Sequence, residues 1–339
     1  KGKVAELIVE EMKRGGGEIS LDDLAGYRSV WRDPVKGNYR GYEIYAMAPP
    51  SSGGVMLVQM LNMLELYDIG KMGWGSAEVI HLMVEAERRA YADRAEHMGD
   101  PDFYPVPVQM LTDKAYARER FGDYNPHKAS VSEHIAAGKV PEESPETTHY
   151  SVMDRSGMMV ALTTTLNLSY GSKIVVPGTG ILLNNEMDDF SAKENTPNAF
   201  QLIGRSANAI EPGKRMLSSM TPAIVTKNGV PVLITGSPGG STIITTVFQV
   251  VVNVIDHQMT VEDAVSLPRF HHQWLPDEIR YEKYAINPDS LKILQRKGHK
   301  NFRLVDYGRG IGDANSILYK DGVMHGIKDP RGEGTAVGY

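Results

Sequence analysis

Val4, Leu7, Ile8 and Met12 recur at helical spacing, and Gly15-Gly16-Gly17 closes the pattern, so the chain opens on a predicted helix over 3–14. Ser20-Leu21-Asp22-Asp23 follows as a capping box, with serine at the cap and an acid three residues on. Alternation from Tyr39 to Ala46 predicts a strand, halted by Pro49-Pro50. Ser51-Ser52-Gly53-Gly54 then opens a helix carrying Val55, Met56, Val58, Leu61 and Leu64. The clearest helix spans 76–98. Ile80, Met83, Val84, Ala90 and Tyr91 form its apolar stripe, and Glu85, Arg88, Arg89 and Asp93 form a charged face expected in solvent.

From Asp113 to Ser144 the chain turns polar, and few of its residues could order it, so it is expected to be a surface linker. The character changes at Thr147. His149 to Asp154 and Met158 to Leu166 are strand-type runs joined by Arg155-Ser156-Gly157, and Ala223 to Thr226 and Val232 to Thr235 are joined through Lys227-Asn228-Gly229. Both read as hairpins. Helices are predicted at 241–256, 260–266 and 289–298. Strands concentrated after Thr147, with helices on either side, predict a layered α+β fold. No internal repeat is present.

Composition narrows the class. With 339 residues and 41% hydrophobic content the chain is an ordinary globular protein. A net charge of −6, with scattered Lys and Arg and no basic run, speaks against nucleic acid as a partner. No apolar segment reaches the roughly 18 residues of a membrane span; Ile243 to Ile255 is interrupted by Thr245, Thr246, Gln249 and Asn253 and reads as a core helix. The absence of cysteine removes disulfides and thiolate chemistry. Lys1-Gly2-Lys3-Val4 runs straight into the first helix without an initiator methionine, so the chain is expected to be a fragment whose signal peptide lies upstream.

Candidate chemistry centres on Thr147-Thr148-His149-Tyr150-Ser151 and on Gly236-Ser237-Pro238-Gly239-Gly240. A threonine hydroxyl becomes nucleophilic once a base takes its proton. Cleavage before Thr147 would free an α-amine that titrates at roughly 7.7–8.0 and could be that base. The dipeptide alone reads as two ordinary strand threonines. The glycine turn superficially suggests a phosphate loop but lacks the Gly-Lys-Ser/Thr ending. His271-His272 fit no metal-ligand spacing and read as structural; His149, facing opposite to Thr148 and Tyr150, is expected to pack or hydrogen-bond. Seventeen methionines suggest adaptable packing and imply no cofactor.

Taken together these blocks resemble the γ-glutamyltransferase family of N-terminal-nucleophile hydrolases. Thr147-Thr148-His149-Tyr150-Ser151 is similar to the start of the family's small subunit, Thr147 being the nucleophile. Thr165-Leu166-Asn167 resembles the strand whose threonine hydroxyl bonds the nucleophile and whose asparagine helps hold substrate. Asn184-Asn185-Glu186-Met187-Asp188-Asp189-Phe190 resembles the loop in which the residues at Glu186 and Asp189 bind the substrate α-amine. Lys214-Arg215-Met216-Leu217-Ser218-Ser219-Met220 resembles the segment whose serines hold the α-carboxylate, and Gly239 and Gly240 match the oxyanion-hole amides. Pro268-Arg269-Phe270-His271-His272-Gln273-Trp274 and Asp329-Pro330-Arg331 are further family-like blocks, in the family's order. The roles fit the residue types: carboxylates accept from an ammonium, hydroxyls donate to a carboxylate, and losing one oxyanion donor costs about 3–4 kcal/mol of barrier.

The resemblance implies a four-layer αββα sandwich and autoproteolysis between Glu146 and Thr147. Residues 1–146 would be the C-terminal part of a large-subunit region, mostly helical with a polar linker at its end. Residues 147–339 would be the small-subunit region, both forming one structural domain. It implies γ-glutamyl transfer from glutathione or a similar donor to water, an amino acid or a peptide through a γ-glutamyl-Thr147 ester. No cofactor or metal is implied, and the location would be periplasmic or secreted. Two features depart from the family. The arginine that grips the substrate carboxylate belongs to a large-subunit segment preceding this chain, which becomes an expected partner. Phe200 stands where many members carry a lid tyrosine. The alternatives are a cephalosporin- or glutaryl-type acylase on the same scaffold, and an uncleaved, non-catalytic precursor fragment.

Overall fold

The computed structural model describes residues 1–135, 147–191, 202, 205–307 and 310–339. The helices are α1 Lys3–Gly15, α2 Leu21–Gly26, α3 Gly53–Leu64, α4 Ile69–Met72, α5 Ala77–His97, α6 Val108–Leu111, α7 Lys114–Arg120, α8 Thr242–Ile255, α9 Val261–Ser266 and α10 Pro288–Lys297. The strands are β1 Val35–Tyr39, β2 Tyr42–Ala46, β3 Thr148–Met153, β4 Met159–Thr164, β5 Val175–Val176, β6 Ile181–Leu182, β7 Ala223–Lys227, β8 Val230–Thr235, β9 Phe270–His271, β10 Ile279–Glu282, β11 Phe302–Val305, β12 Ser316–Lys320 and β13 Val323–Ile327.

A six-stranded antiparallel sheet, ordered β1-β2-β7-β8-β12-β13, draws strands from both sides of Thr147. Successive side chains on a strand point to opposite faces. Ile44, Ala46, Ala223, Val225 and Leu233 accordingly join the core with α3 and α8, both of which are buried along their whole length. Tyr45 and Ile224 look the other way, onto a cavity of about 820 Å³ shared with Met159 and Ala161 of β4. The β3–β4 hairpin lies on that second face, giving three layers in order: helices, sheet, hairpin.

The predicted hairpins, the core helix at α8 and the capping box at Ser20 are all found. Three expectations need correction. The alternation over 39–46 is not one strand: it crosses a tight turn at Arg40-Gly41, both at positive φ, that joins β1 to β2. The polar stretch after Asp113 is not a free linker through residue 135. It forms α7, and the Trp274 indole donates to the carbonyls of Ser132 and Ile135, at 2.9 and 2.8 Å.

The charged face of α5 is not solvated either, since 18 of its 21 residues are buried. Each charge on it meets a partner that sequence periodicity does not show. Arg88 pairs with Glu85 and Asp277, and Arg89 with Glu85 and Asp123. Asp93 accepts from Gln59, Tyr116 and Arg120. Removing one member of such a buried set strands its partner at a cost of about 3–5 kcal/mol.

Candidate active site

β8 ends at Thr235 and delivers the chain into Gly236, whose missing side chain makes room for a ring. A Cβ there would lie 2.3 Å from the His149 Cε1. His149 is buried against that glycine. Its Nδ1 lies 2.8 Å from the Thr163 hydroxyl and its Nε2 3.1 Å from the Ser151 hydroxyl, which itself donates to the Asn315 carbonyl at 2.9 Å. That chain of donors places the proton on Nε2. Burial pushes the imidazole down to about 4, so the ring is neutral and engaged.

His149 thereby fixes the register of β3, and Thr147 stands at the entrance of this strand. Its hydroxyl donates to the Thr165 hydroxyl at 3.2 Å, and Thr165 Oγ1 also accepts from the Asn167 amide at 2.9 Å. A cavity of about 250 Å³ opens here, lined by Thr147, Thr165, Leu166, Leu168 and Tyr170 among others. Glu146 lies outside the described residues, as does Phe200.

Asn167 takes a left-handed conformation with φ 73°, which asparagine tolerates better than most side chains. Its Nδ2 donates to the Asn185 carbonyl, and Asn185 Oδ1 accepts from Leu168 N, each at 3.0 Å. The Thr147–Thr165 pair is thus tied directly to the turn Glu186–Asp189. Three buried acceptor oxygens here have no partner among the described residues: Asn167 Oδ1 and both carboxylate oxygens of Glu186. Burial pushes Glu186 up to about 7. Asp189 is raised well above the carboxylate range, by burial first and then by the charge of Glu186, with Arg94 opposing. Orphaned buried acceptors are costly and rare, and a ligand ammonium would satisfy them.

Ser218 and Ser219 sit against the start of α3. Ser51 and Ser218 form a parallel bridge, and the Ser52 amide and hydroxyl both donate to the Ser218 carbonyl at 2.8 Å. Gly53 permits this approach, because a Cβ would lie 2.4 Å from the Met220 carbonyl oxygen. Ser218 Oγ accepts from Met220 N and Ser219 Oγ from Arg94, each at 3.1 Å, and no acceptor among the described residues takes either hydroxyl proton. The helix N-terminus and Arg94 add positive potential where a carboxylate would sit. Sequence reading missed Arg94. Its only local signal was its place on the charged helix, and Ser52 and Ser219 lie 42 and 125 residues away along the chain.

Gly239 and Gly240 take φ values of 135° and 53° at the N-terminus of α8, where the helix dipole favours negative charge. No acceptor among the described residues takes either amide hydrogen. His271 and His272 are structural as expected: all four ring nitrogens are hydrogen-bonded. One cluster unseen in the sequence, His81, Glu85 and His299, brings its ligand atoms within 4.8 Å of one another. His81 bonds His299 and the Asn125 carbonyl, and Glu85 pairs with Arg88 and Arg89, so these groups are satisfied without an ion.

The residues described are a hydroxyl at the head of a strand, amides at a helix N-terminus, buried acceptors that suit an ammonium, and two serine hydroxyls that suit a carboxylate. A nucleophile, oxyanion donors and substrate anchors are the parts that acyl transfer needs. The gamma-glutamyltranspeptidase family model matches residues 1–339, and the chain belongs to that family. It is 53% identical over 333 residues to the glutathione hydrolase proenzyme of Escherichia coli (strain K12), covering 98% of this chain and 57% of the relative. It is 40% identical over 337 residues to the Acylase ACY 1 proenzyme of Pseudomonas sp. (strain SE83), covering 99% and 57%. The chain thus spans 57% of the length of each of these two relatives.

Solved structures agree. The cephalosporin acylase from Bacillus halodurans matches with TM-score 0.81 at 27% identity, over 97% of this chain and 57% of that one. The gamma-glutamyltranspeptidase from Pseudomonas nitroreducens complexed with L-DON matches with TM-score 0.53 at 47% identity, over 57% of this chain and 100% of that one. No helix among the described residues is long and apolar enough to cross a membrane.

Proposed function

We propose that this chain is part of a self-cleaving γ-glutamyltransferase that hydrolyses glutathione and related γ-glutamyl compounds or transfers their γ-glutamyl group. The observation that carries this reading is the set of buried acceptors on Asn167 and Glu186 that have no partner among the described residues, on two segments that hydrogen bonds from Asn167 Nδ2 and Leu168 N to Asn185 join beside the Thr147–Thr165 pair. A γ-glutamyl group ends in an ammonium and a carboxylate. Asn167, Glu186 and Asp189 accept from the first, and Ser218 and Ser219 donate to the second.

In maturation the Thr147 hydroxyl attacks the Glu146 carbonyl and the peptide C–N bond breaks, which frees the Thr147 α-amine and leaves an ester on the hydroxyl oxygen; water then hydrolyses that ester to release the Glu146 carboxylate and restore the Thr147 hydroxyl. In turnover that amine takes the hydroxyl proton, and the oxygen attacks the γ-carbonyl while the Gly239 and Gly240 amides hold the oxyanion. The proton passes to the departing amine, leaving a γ-glutamyl ester on Thr147. Water or an amine acceptor then resolves it. Thr165, whose hydroxyl accepts from that of Thr147, orients the nucleophile.

In this reading residues 1–146 belong to the large-subunit side and residues 147–339 are the small subunit. The outward face of β3–β4 supports a further layer. Tyr150, Val152 and Val160 are 47%, 52% and 43% exposed there, an apolar surface suited to an outer helical layer, with β3–β4 as part of a second sheet completed by the remaining large-subunit segment. This gives the four-layer αββα sandwich. The compartment that suits such an enzyme is periplasmic or extracellular.

The acylase relative keeps a second reading alive, and one comparison separates the two. γ-Glutamyl-p-nitroanilide and glutaryl-p-nitroanilide differ only by the amine. A site with buried acceptors for that amine favours the first by at least about 100-fold in kcat/KM. Equal turnover of the two would favour the acylase.

The acidity of Glu186 adds a pH dependence. Its carboxyl, raised to about 7 by burial, must be ionised to pair with an ammonium. KM for γ-glutamyl donors is therefore expected to fall as pH rises through 7, and Glu186→Gln to flatten that profile. The Thr147 α-amine also loses its proton as pH rises, but that titration appears in kcat. A KM independent of pH in the wild type would remove Glu186 from the amine site.

A further inference from the structure

The loop carrying Gly239 and Gly240 is held at both ends by groups that touch no substrate atom in the mechanism above. After Gly240, the Ser241 carbonyl accepts a hydrogen bond from the Tyr91 hydroxyl on α5, and Ser241 Oγ donates to Gln273 Oε1 at 2.7 Å. Before Gly239, Ser237 Oγ accepts from the Asp313 amide at 2.8 Å and donates to the Pro238 carbonyl at 2.6 Å. Ser237 and Ser241 have no solvent exposure. The segment at 310–313 presses closely on the loop. A Cβ on Gly312 would lie 2.6 Å from Ser237 Oγ, and one on Gly239 would lie 3.3 Å from Gly312 Cα.

We propose that the Tyr91 and Ser237 hydroxyls are positioning groups that clamp the Gly239–Gly240 amides between α5 and the 310–313 segment. An oxyanion donor works only where charge develops, so the two amides must be fixed before the reaction. The start of α8 ties down only their carbonyls, Gly239 O accepting from Thr242 N and Oγ1 at 2.9 and 2.8 Å and Gly240 O from Ile243 N at 3.2 Å. Glycine is the most conformationally free residue, and these two stand at positive φ with no side chain to lock them. The hydroxyls supply that restraint from outside: one holds the carbonyl that follows the pair, the other holds the residue that leads into it. Tyr91 lies three residues before Arg94 on the same helix, so one rigid element references both the oxyanion loop and Ser219.

The inference rests on the γ-glutamyl-transfer reading, and the test keeps the two apart. Turnover of γ-glutamyl-p-nitroanilide is measured in the complete protein for the wild type, Thr147→Ala, Tyr91→Phe and Ser237→Ala, with kcat expressed per cut molecule from intact mass. Tyr91→Phe and Ser237→Ala are each expected to lower kcat about 10- to 100-fold, the loss typical of a displacement near 1 Å. KM should stay within about twofold, because the ammonium and carboxylate pockets are untouched. A merely structural role would lower the denaturation midpoint and leave kcat per folded molecule unchanged. Tyr91→Phe removes one oxygen and keeps the ring that packs edge-on to His271, so it decides alone if Ser237→Ala does not fold. Unchanged kcat in Tyr91→Phe, or a KM rise matching the loss, overturns the clamp while wild-type turnover stands. Absence of wild-type turnover overturns the underlying reading instead.

Discussion

Thr147→Ala is expected to leave the protein as one uncut chain with no γ-glutamyl turnover. In the wild type, intact mass under denaturing conditions should show two species, the smaller beginning Thr147-Thr148-His149. The effect is all or none because one oxygen serves both reactions. In the proposed mechanism it is the atom that attacks the Glu146 carbonyl, and after cleavage it is the atom that accepts the acyl group. Alanine keeps the backbone and the start of β3 but removes the hydroxyl that now donates to Thr165 at 3.2 Å. Thr147→Ser, which retains the hydroxyl and loses the β-methyl that restricts χ1, should cut and turn over more slowly. A Thr147→Ala protein that still cuts at the same bond would sink the nucleophile assignment.

Asp329→Asn is expected to produce the largest loss of stability, about 3–5 kcal/mol. Asp329 is fully buried and accepts four hydrogen bonds: from Arg269 at 2.6 Å, from the Arg331 side chain at 3.0 Å, and from the amides of Ala314 and Arg331 at 2.7 and 2.9 Å. Burial pushes its carboxyl up, but the charges of Arg269 and Arg331 outweigh that and hold it below the usual range. The amide is isosteric, yet it cannot accept through its nitrogen and carries no charge, so two buried guanidiniums lose part of their compensation. Glu282, paired with Arg331 at 2.6 Å, offsets only one of them. Chemical denaturation of the two proteins checks this, and a difference below 1 kcal/mol would show the cluster to be far more adaptable. Activity should fall as well. The Ala314 amide that Asp329 holds belongs to the segment whose Asp313 amide bonds Ser237 and whose Asn315 carbonyl bonds Ser151 beneath His149.

Much of the fold was legible in the sequence because much of it is local. Hydrophobic period and turn residues located the β3–β4 and β7–β8 hairpins, and Ser20 and Asp23 form the expected box within a few residues. The alternation that set His149 opposite Thr148 and Tyr150 was correct, since a strand has only two faces. Over 39–46 periodicity failed for a local reason. A two-residue turn at Arg40-Gly41 preserves alternation across it, so β1 and β2 looked like one strand.

The candidate site divides the same way. Thr147, Thr165, Gly239 and Gly240 stand in short motifs, so residue type and order pointed to them. What each one faces is a long-range fact. The sequence by itself determined the nucleophile candidate, the glycine turn, the core helix behind it and the candidate serine pair. Only the tertiary structure decided that α5 is buried, that Arg94 reaches Ser219, that Tyr91 holds Ser241 and that Glu186 titrates near neutrality. The reason is physical. A charge or hydroxyl at a given position has the same local signature whether it meets water or a partner 150 residues away, and its energy is set by which of these it meets.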